Sequence, residues 1–317
     1  MANVLPDTEE EGLANACLAQ AGDALHGRRQ DIPAGFVAQL YRRAVPEDVL
    51  RYDAAELAAL AERSFDFLSE REPGTPKIRC ETVRLQAHGE HNQVTVVEVV
   101  NDDMPFLVDS VMGELADRKL EVKLAAHPVF GVRREGAKLV AIAGPDAPQH
   151  ARESFIHVHI EALAEEADCK GLAGALEAVL REVRLAVQDW RPMLERVNAV
   201  VADLKTNPPP LPVDEIAEAI QFLQWLASDN FTFLGVRNYS FDGTELVPDH
   251  GSALGIMRDQ SLRVLKRGDE HLEVTPEIMA FLKEPRPLII AKANLHARVH
   301  RRTYLDYIGI KQFDAGG

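Results

Sequence analysis

The residues best suited to chemistry gather at three places in this 317-residue chain. The first is the stretch NDDMPFLVDSVMGEL, Asn101 to Leu115, which starts where the apolar run VTVVEVV stops. It sets an amide, two carboxylates and a thioether in a row, Asn101, Asp102, Asp103 and Met104, ahead of a proline and a helix-like pattern. Asp103 has the offset of a helix N-cap, Pro105 suits a first helical turn, and carboxylates favour the positive end of a helix. Capping accounts for one acid and leaves Asn101 and Asp102 unexplained. A polar turn between a buried strand and a helix also offers backbone N–H groups to a small ligand. Two adjacent acids repel an anion and suit an ammonium group. Capping, ligand contact and contact with a neighbouring module all stay open.

The second place is HVHIE. Strand alternation puts His157, His159 and Glu161 on one face and Ile156, Val158 and Ile160 on the other. Two imidazoles and a carboxylate are zinc-ligand types. The plainer reading is the polar face of a sheet or an interface, because no third ligand is identifiable from another element. The third place is HARVHRR, where Arg298, Arg301 and Arg302, with Lys292 nearby, form a basic cluster in an acidic chain. It suits a carboxylate or phosphate ligand, or acidic residues of a neighbouring module. His296 and His300 share a face of the strand predicted there, a weaker metal pair.

Nucleotide and nucleophile motifs are missing. There is no GxGxxG, no GxxxxGK[ST] and no GxSxG. Cys17, Cys80 and Cys169 are far apart in sequence, odd in number and without CxxC spacing, which points to reduced thiols rather than a disulfide framework or zinc knuckle.

These residues need a frame, and the patterning outlines one. Residues 8–72 read as helical; in DAAELAALAERSFDFLSER the apolar positions Leu57, Leu60, Ala61, Phe65 and Leu68 recur at three and four, with Asp53 as N-cap. EPGTPK breaks that run. Strands follow at IRCETVRLQ and QVTVVEVV across the turn AHGEHN, then a helix at 105–119. LEVKLAAHPVFGVRR reads as a strand interrupted near Pro128, and KLVAIAG as a strand beyond a Glu135–Gly136 turn. ARESFIHVHIEAL contains another strand, and 172–187 a helix continuing as an arm kinked at Pro192. This order predicts an α+β sandwich with helices on one face of a mostly antiparallel sheet.

NPPPLP (207–212) is a stiff linker and the expected domain boundary. Beyond it a helix at 214–228, strands in FTFLGVRNYSF, LRVLK, LIIAKANLHARVH and TYLDYIGIKQF, and a helix at TPEIMAFLKE predict a second α+β module. The expected domains are an N-terminal helical segment (1–75), a module at 76–190, an arm and linker (191–212) and the second module (213–317). The chain ends at DAGG, which reads as a hairpin tip, so a piece of a longer polypeptide is expected.

Bulk properties narrow the function classes. The length suits about two domains at roughly 150 residues each. A net charge of −15 makes nucleic acid and anionic membrane poor partners. No apolar run approaches the roughly 20 residues of a membrane span, and MANVLPDTEEEGL lacks the pattern of a signal peptide, so a cytoplasmic location is expected.

NDDMPFLVDSV with the long helical arm after it, FLQWLASDNFTFLGVRNY and HRRTYLDYIGIKQFD together resemble the N-terminal region of the large bacterial NAD-specific glutamate dehydrogenases. The similarity runs from about residue 30 to residue 317. In that family the N-terminal part is built of ACT-like (ferredoxin-like) modules, with the dehydrogenase domain hundreds of residues further on. The chain departs from the ACT pattern with Met104 before the proline and Phe106 where glycine is common; Phe106 fills space a ligand would use. The resemblance implies an oligomeric enzyme converting L-glutamate to 2-oxoglutarate and ammonia with NAD. No catalytic residue matches here, so NAD is expected in the full-length enzyme and no cofactor in this region. The expected role is regulation and assembly, through self-association and the downstream catalytic region, with an amino acid as candidate effector. The alternatives are a purely structural assembly module without a small ligand and, more weakly, a metal-dependent hydrolase using His157 and His159.

Overall fold

The computed structural model describes residues 9–87, 90–241, 246–262, 276–284 and 286–312. The chain divides into two compact units, Met1–Leu180 and Arg181–Gly317.

The first unit opens with four helices, α1 (Glu9–Arg28), α2 (Phe36–Leu40), α3 (Pro46–Val49) and α4 (Ala54–Leu68). As predicted, Asp53 caps α4. Its carboxylate accepts from the Glu56 N–H at 2.8 Å, while the Glu56 carboxylate accepts from the Asp53 N–H at 3.2 Å, a reciprocal capping box. The sheet strands are β1 (Lys77–Ala87), β2 (Glu90–Asp102), β3 (Val122–Ala126), β4 (Val129–Glu135), β5 (Lys138–Ala143) and β6 (Ala151–Glu161). Helix α5 (Leu107–Asp117) sits between β2 and β3, and α6 (Glu166–Thr206) follows β6.

All pairings are antiparallel, in the order β1-β2-β6-β4-β5, with β3 also on β6. β3 and β4 lie end to end along one edge of β6, and the Pro128 carbonyl between them accepts from the Phe155 N–H. Pro128 therefore interrupts one predicted strand without breaking the sheet, because a proline lacks only the donor. The β4–β5 hairpin turns at Gly136, whose φ of +59° suits glycine.

The architecture is the α+β class expected, with one change in layering. Helices were expected on one face; both faces are covered. Val94, Val96, Leu124, Phe130 and Phe155 join the apolar residues of α1–α4 in one core. The opposite parity, Val97, Val99, Ile156, Val158 and Ile160, is equally buried, and α5 and the start of α6 carry the matching buried residues Val111, Leu115, Leu172 and Leu176. Each face must be shielded, since a fully buried aliphatic side chain stabilises by about 1.5–3 kcal/mol.

Helix α6 runs unbroken through Pro192, where a helix boundary or kink was expected. In the second unit, Val197, Val200, Val201 and Leu204 of α6 pack with Leu223 of α7 (Val213–Trp225) and with Leu288, Ile308 and Ile310. Two hairpins complete this unit: β7 (Gly235–Phe241) with β8 (Leu246–Gly255), and β9 (Leu288–His296) with β10 (Tyr304–Ile310); α8 (Pro276–Lys283) precedes β9. β8 was not foreseen, since LVPDHGSALG contains Pro and two Gly and lacks the alternation of a strand. Most of LRVLK, part of the AHGEHN turn and the DAGG tip lie outside the described residues.

Candidate functional site

The acidic turn is built by the end of β2 and the start of α5. Asp103 does not cap α5: the N-cap position is Phe106, with no side-chain cap hydrogen bond. Phe106 adopts φ +72°, a left-handed conformation costly for a residue with a Cβ and here held at the place where glycine is common. Pro105 lies in the turn before the helix and not in its first turn.

The two carboxylates are instead directed to arginines. Asp102 accepts from Arg71 Nη2 at 2.7 Å. Arg71, 2% exposed, also donates through Nη1 to Glu153 at 2.7 Å and through Nε to the Thr75 carbonyl. Arg134 grips both oxygens of the same Glu153, each at 2.8 Å, and donates to the Leu68 and Ala137 carbonyls. Glu153 faces Asp102 across the β2–β6 ladder, so two carboxylates meet two guanidinium groups in a charge-balanced set that is buried except at Asp102. Asp103 accepts from Arg152 Nε at 2.9 Å, and its backbone N–H donates to the Arg152 carbonyl at 3.0 Å, prolonging the ladder by one bond. Asn101 is buried opposite Ser154 and its amide donates to the Asp102 carbonyl at 3.1 Å. Met104 is half-buried. The turn is thus tied to the segment joining α4 to β1, through Arg71, and to β6, through Arg152.

The histidine ladder is also placed differently from the expectation. His157 and His159 are completely buried beneath α2–α4, not on a solvated polar face. Their Nε2 atoms face each other at 2.8 Å. His159 Nδ1 lies 2.7 Å from the Tyr52 hydroxyl, and His157 Nδ1 lies 3.1 Å from Glu98 Oε1. Ser64 donates to that same oxygen at 2.6 Å, and Arg79 Nε holds Glu98 Oε2 at 2.7 Å. Tyr41 completes the set, its hydroxyl 3.5 Å from His157 Nε2. Burial alone would push the Glu98 carboxyl up. The hydrogen bond and charge of His157, the charge of Arg79 and the Ser64 bond outweigh it and hold it at about 2. Glu161 lies apart from this cluster, accepting from the Glu121 N–H at 3.2 Å. Among the described residues no group of three or more His, Cys, Asp and Glu side chains is arranged to hold a metal.

The basic cluster of the second unit is dispersed. Arg298 pairs with Glu182 of α6, and Lys292 with Asp306 across β9–β10 at 2.6 Å. Arg301 is exposed and Arg302 half-buried. His300 takes a left-handed φ of +65° beyond the end of β9, so it shares no strand face with His296; the His296 ring packs on Tyr304 at 3.9 Å. A tighter cluster that sequence reading missed lies at Asp189 of α6, which accepts from Arg258 and from the Gly255 N–H at 2.7 Å.

Also missed were Arg71, Arg134, Glu98, Tyr41 and Tyr52. One signal was available: Glu98 interrupts the apolar run VTVVEVV, and a lone carboxylate inside a buried strand needs a partner.

An antiparallel sheet with a Pro-led acidic turn between strand and helix defines the first unit as an ACT-like α+β module, and residues 36–176 match the family described as glutamate dehydrogenase, ACT1 domain. That stretch, somewhat under half of the chain, is similar to the ACT1 domain of glutamate dehydrogenases. Over 295 residues, 88% of the chain, it is 35% identical to the NAD-specific glutamate dehydrogenase of Halomonas elongata. Over 290 residues, 89% of the chain, it is 31% identical to that of Pseudomonas aeruginosa. The chain spans 18% of the length of each of these curated relatives.

Proposed function

We propose that this chain is the N-terminal regulatory and assembly region of an NAD-dependent glutamate dehydrogenase, and that it carries no catalytic site of its own. The full-length enzyme would convert L-glutamate, NAD and water to 2-oxoglutarate, ammonia and NADH in the cytoplasm, with NAD held by the catalytic region. The observation that carries this reading is the match of residues 36–176 to the ACT1 domain. The acidic turn supports it, since Asp102 and Asp103 are engaged by arginines that tie the turn to the sheet. Among the described residues no helix is long and apolar enough to cross a membrane. The test is direct: the purified chain at high concentration, given glutamate and NAD, is expected to form no NADH. Glutamate-dependent NADH production would overturn the proposal.

Within this role, assembly without a small ligand is favoured by one observation. An amino-acid ammonium group at the turn would have to share Asp102 with Arg71 or Asp103 with Arg152. Calorimetry with a panel of amino acids separates the two readings. Absence of heat together with self-association on a sizing column supports assembly through like modules and the downstream catalytic region. Saturable heat that vanishes in a folded Asp103→Ala variant supports an amino-acid effector contacting Asn101, Asp102, Asp103 and Met104. The basic residues Arg298, Arg301 and Arg302 are the second place an anionic effector would be sought.

A further inference from the structure

The buried chain Tyr52–His159–His157–Glu98–Arg79 has a property that follows from counting its hydrogens. Glu98 accepts from the Arg79 guanidinium on one oxygen and faces Ser64 and His157 with the other, and with its carboxyl held at about 2 it is an ionised acceptor. His157 Nδ1, 3.1 Å from Glu98, therefore carries a hydrogen. With His157 neutral, its Nε2 is bare and accepts from His159 Nε2–H across 2.8 Å. His159 Nδ1 is then bare in turn and accepts the Tyr52 hydroxyl hydrogen across 2.7 Å. Every group in the chain is satisfied, in one direction only.

One added proton reverses the chain. A hydrogen on His157 Nε2 must point at His159 Nε2, because only one hydrogen fits between two nitrogens 2.8 Å apart. His159 then carries its hydrogen on Nδ1 and directs it at Tyr52. The Tyr52 hydroxyl must then accept from His159 instead of donating to it, and its own hydrogen gives up the imidazole as acceptor. Breaking that donor–acceptor match beside two histidines that are 0% exposed is costly.

We propose that the His157–His159 pair is a one-proton latch that fastens the helical layer α2–α4 to the sheet when neutral and loosens it when a proton enters. The latch joins three parts of that layer. Tyr41 follows α2, Tyr52 precedes α4, and Ser64 lies within α4. Glu98 and Arg79 are the charged groups that face the pair from β2 and β1. On β3 the residues registered opposite are Leu124 and Ala126, which do not titrate. Around Tyr52 stand Arg51, Asp48 and Glu56. Burial pushes the Tyr52 hydroxyl up to about 12, with Arg51 opposing and Asp48 and Glu56 adding, so its hydrogen is always present. Burial, and next the charge of His157, hold the His159 imidazole well below the usual histidine range.

The sign follows. His159 released to water regains its ordinary value of 6.5, so the opened pair can take up one proton more than the closed pair, where a single hydrogen fits between the facing nitrogens. Opening of α2–α4 is therefore favoured as pH falls below about 6.5, by up to about tenfold per pH unit.

Hydrogen exchange of the whole chain between about pH 7.5 and 5, corrected for intrinsic exchange, reads this opening. Protection across residues 36–68 is expected to fall below about pH 6.5, while α7 in the second unit holds constant. The slope should be absent in His159→Gln. Nitrogen NMR of the wild-type imidazoles gives a check that needs no variant: His159 should carry its hydrogen on Nε2 at about pH 7.5. Flat protection in the wild type, an unchanged slope in a folded His159→Gln, or an Nδ1 hydrogen on His159 at neutral pH would each refute the latch.

Discussion

Arg71 shows how much one side chain can hold. It neutralises Asp102 at the acidic turn and Glu153 on β6, and it binds the Thr75 carbonyl. Arg71→Met is expected to destabilise the first unit by about 3 kcal/mol, because the buried Glu153 and the half-buried Asp102 each lose a charged donor and the Thr75 carbonyl loses its partner; a lowered urea midpoint measures it. Nothing in the sequence pairs Arg71 with Asp102, since the two are joined by a β-hairpin whose register only folding sets. Asp103 teaches the same point from the other side. Its offset from a helix is compatible with a cap, but a cross-strand guanidinium at 2.9 Å took the carboxylate, and Phe106 took the N-cap position. Glu98 was conspicuous as the one charge in VTVVEVV, yet its partners come from β1, α4 and β6.

At the scale of elements, local rules served best where the chemistry is local. The Asp53–Glu56 capping box is an i, i+3 relation, fully contained in the sequence. Asp53→Ala is expected to cost about 1 kcal/mol of stability, measurable by denaturation followed by circular dichroism. Pro192 marks where a local rule lost. It sits inside the continuous helix α6, lacking a donor and crowding the preceding turn, while Met193, Val197 and Val200 around it are buried. Tertiary burial outweighed the proline, so Pro192→Ala is expected to stabilise the chain, by up to about 3 kcal/mol. Absence of any gain in thermal midpoint would show that the helix has relaxed around the ring. The β7–β8 hairpin ends at Gly255, with φ +59° and no room for a Cβ beside the Leu234 carbonyl oxygen. The Asp189 carboxylate holds that turn by accepting from the Gly255 N–H. Asp189→Ala should raise hydrogen exchange in residues 235–255 and leave the first unit unchanged.

For the whole molecule, the acid response belongs to the first unit. Glu98 is held at about 2 when folded and returns to 4.5 when exposed, a difference of 2.5 pH units. A carboxyl with a depressed folded value contributes stability that is complete above about 4.5 and is lost as pH falls towards 2. The expected loss is about 3 kcal/mol over that window. Glu98→Gln should lower stability at neutral pH and flatten the dependence between 4.5 and 2, while the second unit titrates as before. This window lies below the one in which the histidine latch acts, so the two can be resolved in a single pH series.

The sequence by itself determined most of the element types, the alternation of the strands around HVHIE, the acidic character and the family resemblance. Those depend on neighbours within a few residues or on whole phrases of the chain. Only the tertiary structure decided that HVHIE lies beneath the N-terminal helices, with Tyr41, Tyr52 and Ser64 brought within hydrogen-bond reach of residues about a hundred positions away. Strand alternation states which residues share a face and says nothing of what covers it. The same limit governs NDDMP: its acids were legible, and their arginines, one before β1 and one at the start of β6, became their partners only when the sheet closed.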